Sequence, residues 1–174
     1  MEFIKIAETR QSCRSFDPAR PAEADKLERC LESARLAPSA CNSQPYIMWI
    51  ATGDKGKEIS QARSMSMNKF IEDCSTFVIF SEDRYNISAK TGSAVKDQDF
   101  RSIDIGIACA YLTAEATECG LDTCILGMFD EKKIKSILGT KERIRLVIAV
   151  GHAKEGYPIR EKKRKDRDDM IRKL

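Results

Sequence analysis

Two hydrophobic periods alternate along this chain: apolar residues at helical spacing, and short apolar runs of strand length. Residues 3–9 carry a helical pattern. Pro21 marks the start of a second helix, in which Leu27, Cys30, Leu31 and Ala34 form an apolar stripe that stops near Ala37-Pro38. A polar, proline-bounded loop follows, "APSACNSQPY". "YIMWIAT" reads as a strand, Asp54 to Arg63 as a short polar helix, and "TFVIFSE" as a second strand. Residues 83–99 show no period and read as a long loop of the kind that is functional or mobile. "FRSIDIGIACAYLTAEATECG" reads as a long helix that ends at Gly120 in a left-handed cap. "DTCILG" is a third strand. Asp130 caps the helix "EKKIKSIL", which stops at Gly139, and "IRLVIAV" is a fourth strand. Such alternation belongs to an α/β or α+β domain. The long helix is apolar on most faces, so it must be enclosed by its own core or by a partner subunit.

The chain has 174 residues, which suggests one domain over 1–174. A chain of this size buries roughly 70% of its unfolded surface and needs no disulfide or metal to fold. Its seven cysteines are odd in number, none pairs as Cys-x-x-Cys, and His152 is the sole histidine, which argues against a zinc site. Cys30, Cys109 and Cys124 sit in apolar runs and read as small core residues; free thiols suit a reducing compartment. With no long apolar stretch at the start and no run able to span a bilayer, the expected location is the cytoplasm, away from any membrane.

The net charge of +3 is concentrated in the tail. Residues 160–174 hold eight basic and four acidic side chains, which leaves 22 basic and 23 acidic for the rest of the chain. A solvated terminal helix is the plain reading of such a tail. Nucleic acid is a poor fit, because the tail carries acids throughout and has no aromatic for stacking.

Four features stand out: Arg10-Gln11-Ser12-x-Arg14, Pro38-Ser39-Ala40-x-Asn42-x-Gln44-Pro45, Leu126-Gly127 at a strand end, and Lys162-x-Arg164. Together Arg10, Arg14, Lys162 and Arg164 would suit a phosphate, and the amides and backbone N–H groups of the other two features a planar polar ring. There is no Gly-x-Gly-x-x-Gly after a strand and no Gly-Lys-Ser/Thr loop, and nothing near His152 suggests a nucleophile.

With "RQSCRSF", "APSACNSQP", Asn68 ahead of "FIEDCSTFVIF", the stretch from "SIDIGIACAYL" to "KSILG", and "EKKRK", the chain resembles the nitroreductase family of FMN-dependent oxidoreductases in its short single-domain form. The resemblance covers nearly the whole chain. It implies an α+β fold, a mainly antiparallel sheet flanked by helices, and an intertwined homodimer with FMN at the interface. By resemblance, Arg10, Arg14, Lys162 and Arg164 take the flavin phosphate. Gln11 and Ser12 meet the polar edge of the ring and the ribityl chain. Pro38, Ser39, Ala40 and Asn42 lie against the flavin from the other subunit, Asn68 reaches the ring or the substrate, and Leu126 and Gly127 form the turn near flavin N5. Ala40 and Cys41 stand where relatives often carry hydroxyl residues.

The activity implied is hydride transfer from NADH or NADPH to FMN and on to a nitroaromatic, quinone or similar small-molecule acceptor by a ping-pong mechanism. The cofactor carries the chemistry, so no catalytic side chain is named. Rival readings are a same-fold flavoenzyme with other chemistry (dehalogenation or flavin fragmentation), a non-catalytic flavin-binding or redox-sensing protein, and a thiol enzyme using Cys13 or Cys41.

Overall fold

A computed structural model describes residues 2–64 and 67–174. In chain order its elements are α1 (Phe3–Thr9), β1 (Phe16–Pro21), α2 (Ala24–Arg35), β2 (Tyr46–Ala51), α3 (Gly53–Ser60), β3 (Phe77–Glu82), α4 (Ile87–Lys96), α5 (Phe100–Glu118), β4 (Asp122–Leu126), α6 (Glu131–Leu138), β5 (Ile144–Ala153) and α7 (Arg167–Met170). Short 3-10 turns occupy Ala40–Asn42 and Lys69–Ile71.

The strands form one five-stranded sheet, and all four pairings between them are antiparallel. β5 is its hub. It pairs with β3 from Ile144 to Ala149, with β4 from Val147 to Gly151, and with β1 at Gly151 and Ala153. β2 lies on the far side of β3. Strands buried on both faces explain why β3 and β5 read as unbroken apolar runs rather than alternating ones. Phe77, Ile79, Val147 and Ala149 join one core with Ile59 of α3 and Ile134 of α6. Val78, Phe80, Ile148 and Val150 join a second core with Leu27 and Cys30 of α2 and Ile105, Ala108 and Leu112 of α5. The sheet is thus covered by helices on each side, an α+β arrangement.

Three details of the sequence reading change. Pro21 does not start a helix; it ends β1, a strand the pattern did not reveal. Two prolines in "FDPARP" remove ladder donors, and the pairing slips between Phe16 opposite Ala153 and Pro21 opposite Gly151. Gly151 accommodates this edge: a Cβ there would stand 3.3 Å from the Phe16 ring. The sheet therefore has five strands, not four. Residues 83–99 are not a plain loop, because α4 lies within them. Ala89 is the one buried residue of α4, so no apolar stripe advertised the helix. Its ends are local instead: the Asn86 side chain accepts the Ala89 N–H at 2.9 Å, and Asp97 closes it in a left-handed conformation.

α5 is apolar nearly all round, as read, but the chain itself covers only one side of it. Ile105, Ala108, Leu112 and Ala116 are buried, whereas Ile103 and Tyr111 are 45% and 43% exposed. Beside them Phe3 of α1 is 72% exposed, and an open groove of about 360 Å³ runs between α1 and α5, lined by Phe3, Ile6, Ala7, Gly106, Cys109 and Ala110 among others. Among the described residues no helix is long and apolar enough to cross a membrane.

Candidate functional site: a basic cleft beside the start of β4

α1 ends at Arg10, whose backbone N–H still donates to Ile6 O at 2.8 Å. The chain then extends. Ser12 forms a parallel bridge with Thr123 of β4, and the Cys13 N–H donates to Thr123 O at 2.8 Å. This pairing fixes Arg10 to Arg14 along the edge of the sheet.

The tail returns to the same place after β5. Gln11 acts as the clamp: its Nε2 donates to Pro158 O at 2.9 Å, and its Oε1 accepts from the Arg160 backbone N–H and from Arg160 Nε, both at 3.1 Å. A guanidinium N–H of Arg160 also donates to Ser12 O, and Lys162 Nζ donates to Arg10 O. Tyr157 Oη accepts the Arg14 N–H at 3.0 Å. The solvated terminal helix shrinks to α7, and residues 158–166 have no regular structure, with Pro158, Arg160 and Lys162 bonded to the N-terminal segment.

The result is a cleft of about 180 Å³ lined by Arg10, Gln11, Ser12, Arg14, Arg160, Glu161, Lys162 and Arg164. Five cations face a single carboxylate. Burial, and then the positive charges of Arg10, Arg164 and Arg160, hold the Lys162 ammonium below the ordinary lysine value. Arg10 Nη1 is buried without a hydrogen-bond partner. A desolvated cationic donor left unpaired is costly, roughly 1–3 kcal/mol or more; Arg10 lines this cleft and also the groove between α1 and α5, and an anion that reached Nη1 would satisfy it. All four cations expected from the sequence, Arg10, Arg14, Lys162 and Arg164, are brought together here. Arg160 was not foreseen; its place in the basic run "REKKRK" was the available signal, diluted by its lysine neighbours.

The other expected residues lie in two further groups. Leu126 is buried as the last residue of β4, with Gly127 directly after it. Asn68 joins this turn, because its Nδ2 donates to Met128 O at 2.9 Å from a left-handed backbone at φ 60°. Pro38, Ser39, Ala40 and Asn42 form a separate tight loop in which Cys41, Asn42 and Gln44 all have positive φ, at 51°, 50° and 42°. This loop is held by one internal bond and by ties to two other segments. Asp104 Oδ1 of α5 accepts the Ala40 N–H at 3.0 Å, Ser39 Oγ accepts the Gln44 N–H at 3.0 Å, and Asn86 Nδ2 donates to Cys41 O at 2.9 Å. Asp104 was also unforeseen; an aspartate inside an apolar helix was its signal. The residues lining the basic cleft include none from this loop.

The buried thiols, Cys13 among them, are poorly set as nucleophiles. Burial pushes the Cys13 thiol up to about 11 and those of Cys30, Cys74 and Cys109 to about 12, so they stay protonated. His152 is buried between Arg20 Nη2, 3.3 Å from Nδ1, and Glu23 Oε2, 2.9 Å from Nε2. These two contacts make His152 an architectural tie between β5 and the segments that flank Pro21.

The chain matches the model of the nitroreductase family over residues 7–86 and 61–152, and it belongs to that family. It is 25% identical over 190 residues to YdgI of Bacillus subtilis, with 90% of this chain and 91% of that protein covered. It is also 25% identical over 199 residues to the oxygen-insensitive NADPH nitroreductase of Helicobacter acinonychis, with 96% and 94% covered. Its fold matches the nitroreductase family protein of Streptococcus pneumoniae with a TM-score of 0.82 at 20% identity, covering 99% of this chain and 100% of the other. The sheet and helices described above are therefore the nitroreductase-like fold.

Proposed function

We propose that this protein is an NAD(P)H-dependent oxidoreductase that holds FMN and passes electrons to a nitroaromatic, quinone or similar small acceptor. The observation that carries the reading is the cleft of five cations with the unpartnered buried Nη1 of Arg10, in a chain of this family. A flavin phosphate, with a charge near −1.5 to −2, fits that donor set. When bound, FMN supplies the two-electron chemistry, accepting hydride from the nicotinamide and giving it to the acceptor.

The chain's own residues then have distinct tasks. Arg10, Arg14, Lys162 and Arg164, with Arg160, hold the phosphate. Gln11 and Ser12 stand beside the polar edge of the ring, and Gln11 also keeps the tail in place. Leu126, Gly127 and Asn68 form the wall by the ring, where main-chain N–H groups would favour negative charge as it develops. Pro38, Ser39, Ala40 and Asn42 come from a second copy of the chain, a reading supported by their absence from the lining of the cleft in one copy. The uncovered apolar groove of α1 and α5 is the surface on which that copy would dock, which makes the protein a homodimer.

Three measurements on the purified protein test this: its visible spectrum, the identity of any released chromophore, and NAD(P)H oxidation with a quinone and a nitroaromatic. Bound FMN with acceptor-dependent turnover is expected, from a species of twice the chain mass in light scattering. Protein that neither carries nor takes up FMN would end the reading. FMN binding without turnover would favour a flavin-binding or sensing role instead.

A further inference from the structure

A second basic pocket lies outside the cleft. Its volume is about 240 Å³, and it is lined by Arg84, Tyr85, Lys90 and Arg101. The three cations are not equivalent. Arg101 is neutralised: its Nη1 donates to Glu82 Oε2 at 2.7 Å, and its guanidinium lies 4.3 Å from the centre of the Tyr85 ring. Glu82 is itself shared with Arg145. Arg84 and Lys90 are exposed, and neither side chain has an ion-pair or hydrogen-bond partner among the described residues. The nearest acid in sequence, Asp83, turns its Oδ1 to the Arg84 backbone N–H at 2.7 Å. Tyr85 Oη accepts the Arg101 N–H at 2.7 Å, which leaves its own proton free to donate. Two uncompensated cations and a hydroxyl donor thus converge on one pocket, a set that matches the charge of a phosphate monoester dianion.

The position of this pocket bears on which anion it would take. Asn86 follows Arg84 and Tyr85, and it ties this segment to the Ser39–Gln44 loop twice, through Cys41 O at 2.9 Å and Ser43 Oγ at 2.8 Å. On the reading given above, that loop lies over the ring where the nicotinamide must arrive. The pocket is therefore joined through Asn86 to the loop that an incoming dinucleotide must pass.

We propose that Arg84, Lys90 and Tyr85 form a subsite for the 2′-phosphate of NADPH and make the protein select NADPH over NADH. The proposal rests on the function assigned above. It adds a donor preference and the residues that set it, none of which is in the FMN cleft.

The test uses FMN-loaded protein and two readouts. Equilibrium binding of NADP⁺ and NAD⁺ is measured by calorimetry, and kcat/KM is measured for NADPH and NADH with one quinone. In the wild type NADP⁺ is expected to bind about tenfold or more tightly than NAD⁺, since one charge-assisted contact is worth that factor. Arg84→Ala and Lys90→Ala should each reduce the ratio, and the double variant should bring it close to one by weakening NADP⁺ while NAD⁺ is unchanged. Both side chains are exposed, so FMN content should stay at the wild-type level. Equal binding of the two nucleotides by the wild type would overturn the proposal, as would a preference that survives in the double variant. Failure of the underlying function would look different: no FMN retained, or no oxidation of either nucleotide.

Discussion

Arg10 offers the sharpest test of the cleft, because its loss should leave the flavin-free protein nearly unchanged and weaken the flavin-bound one. In the structure its Nη1 is buried and unpartnered. Arg10→Ala removes an unsatisfied buried donor, whose penalty is about 1–3 kcal/mol, together with the packing of its stem, a loss of similar size. The two offset, so flavin-free Arg10→Ala should melt within about 2 °C of flavin-free wild type. With FMN present the balance changes. Loss of a charge-assisted hydrogen bond worth about 1.5–3 kcal/mol weakens FMN roughly 10- to 150-fold. At a free FMN concentration of 100 wild-type Kd, ligand binding stabilises the wild type by about 2.7 kcal/mol. A variant with 100-fold weaker binding gains only RT ln 2, about 0.4 kcal/mol, at that concentration. The difference of about 2.3 kcal/mol corresponds to roughly 5–9 °C of FMN-induced shift in Tm for a chain of this size. Thermal melts with and without FMN measure both arms, and an FMN titration checks the affinity directly. A variant that keeps the full FMN shift would refute the assignment of Arg10 to the phosphate. A variant that loses stability equally in both states would show a purely structural arginine.

Asp104 is buried, its Oδ2 is unpartnered, and burial raises its pKa above the usual aspartate value, so the charged form carries a penalty at neutral pH that acidification relieves. Asp104→Asn keeps the acceptor for Ala40 and should equal or exceed wild-type stability at pH 7. Asp104→Ala should fall about 1–3 kcal/mol below the Asn variant in urea denaturation; a more stable Ala variant would contradict the loop anchor. Glu23 is held down to about 2 from 4.5, first by the Lys26 hydrogen bond and then by His152. Its stabilising effect is therefore complete above pH 4.5 and is lost as pH falls towards 2. Glu23→Gln should flatten that part of the stability profile, measured by urea denaturation at pH 5 and pH 3, and an unchanged slope would dismiss the tie. Cys41→Ser should keep FMN and retain turnover within a few-fold, less than about 1.4 kcal/mol in the barrier, because the flavin already carries two electrons. A loss beyond a hundredfold with FMN still bound would make the thiol a participant.

What the sequence determined by itself was whatever depends on near neighbours. The Asp130 cap and Gly139 stop of α6 and the left-handed end of α5 at Gly120 each rest on contacts within a few residues, and the apolar runs of β3 and β5 are legible in composition alone. The motif residues of the cleft were legible too, because charge and order survive in a linear reading. Tertiary structure decided the remainder. β1 exists only because β5 offers it partners at Gly151 and Ala153, a pairing that no local preference of "FDPARP" demands. α4 buries Ala89 alone and is held by its own cap and by the Cys41 loop, so it left no hydrophobic period to find. Arg160 became part of the cleft, rather than one more surface cation, through Gln11, 149 residues away along the chain. The uncovered face of α5 could not be told from its buried face by composition, since both are apolar. The surrounding fold alone determines that Ala108 and Leu112 meet the sheet while Ile103 and Tyr111 face outward. Helical period fixes which residues share a stripe, but only the packing of the whole chain fixes what each stripe touches.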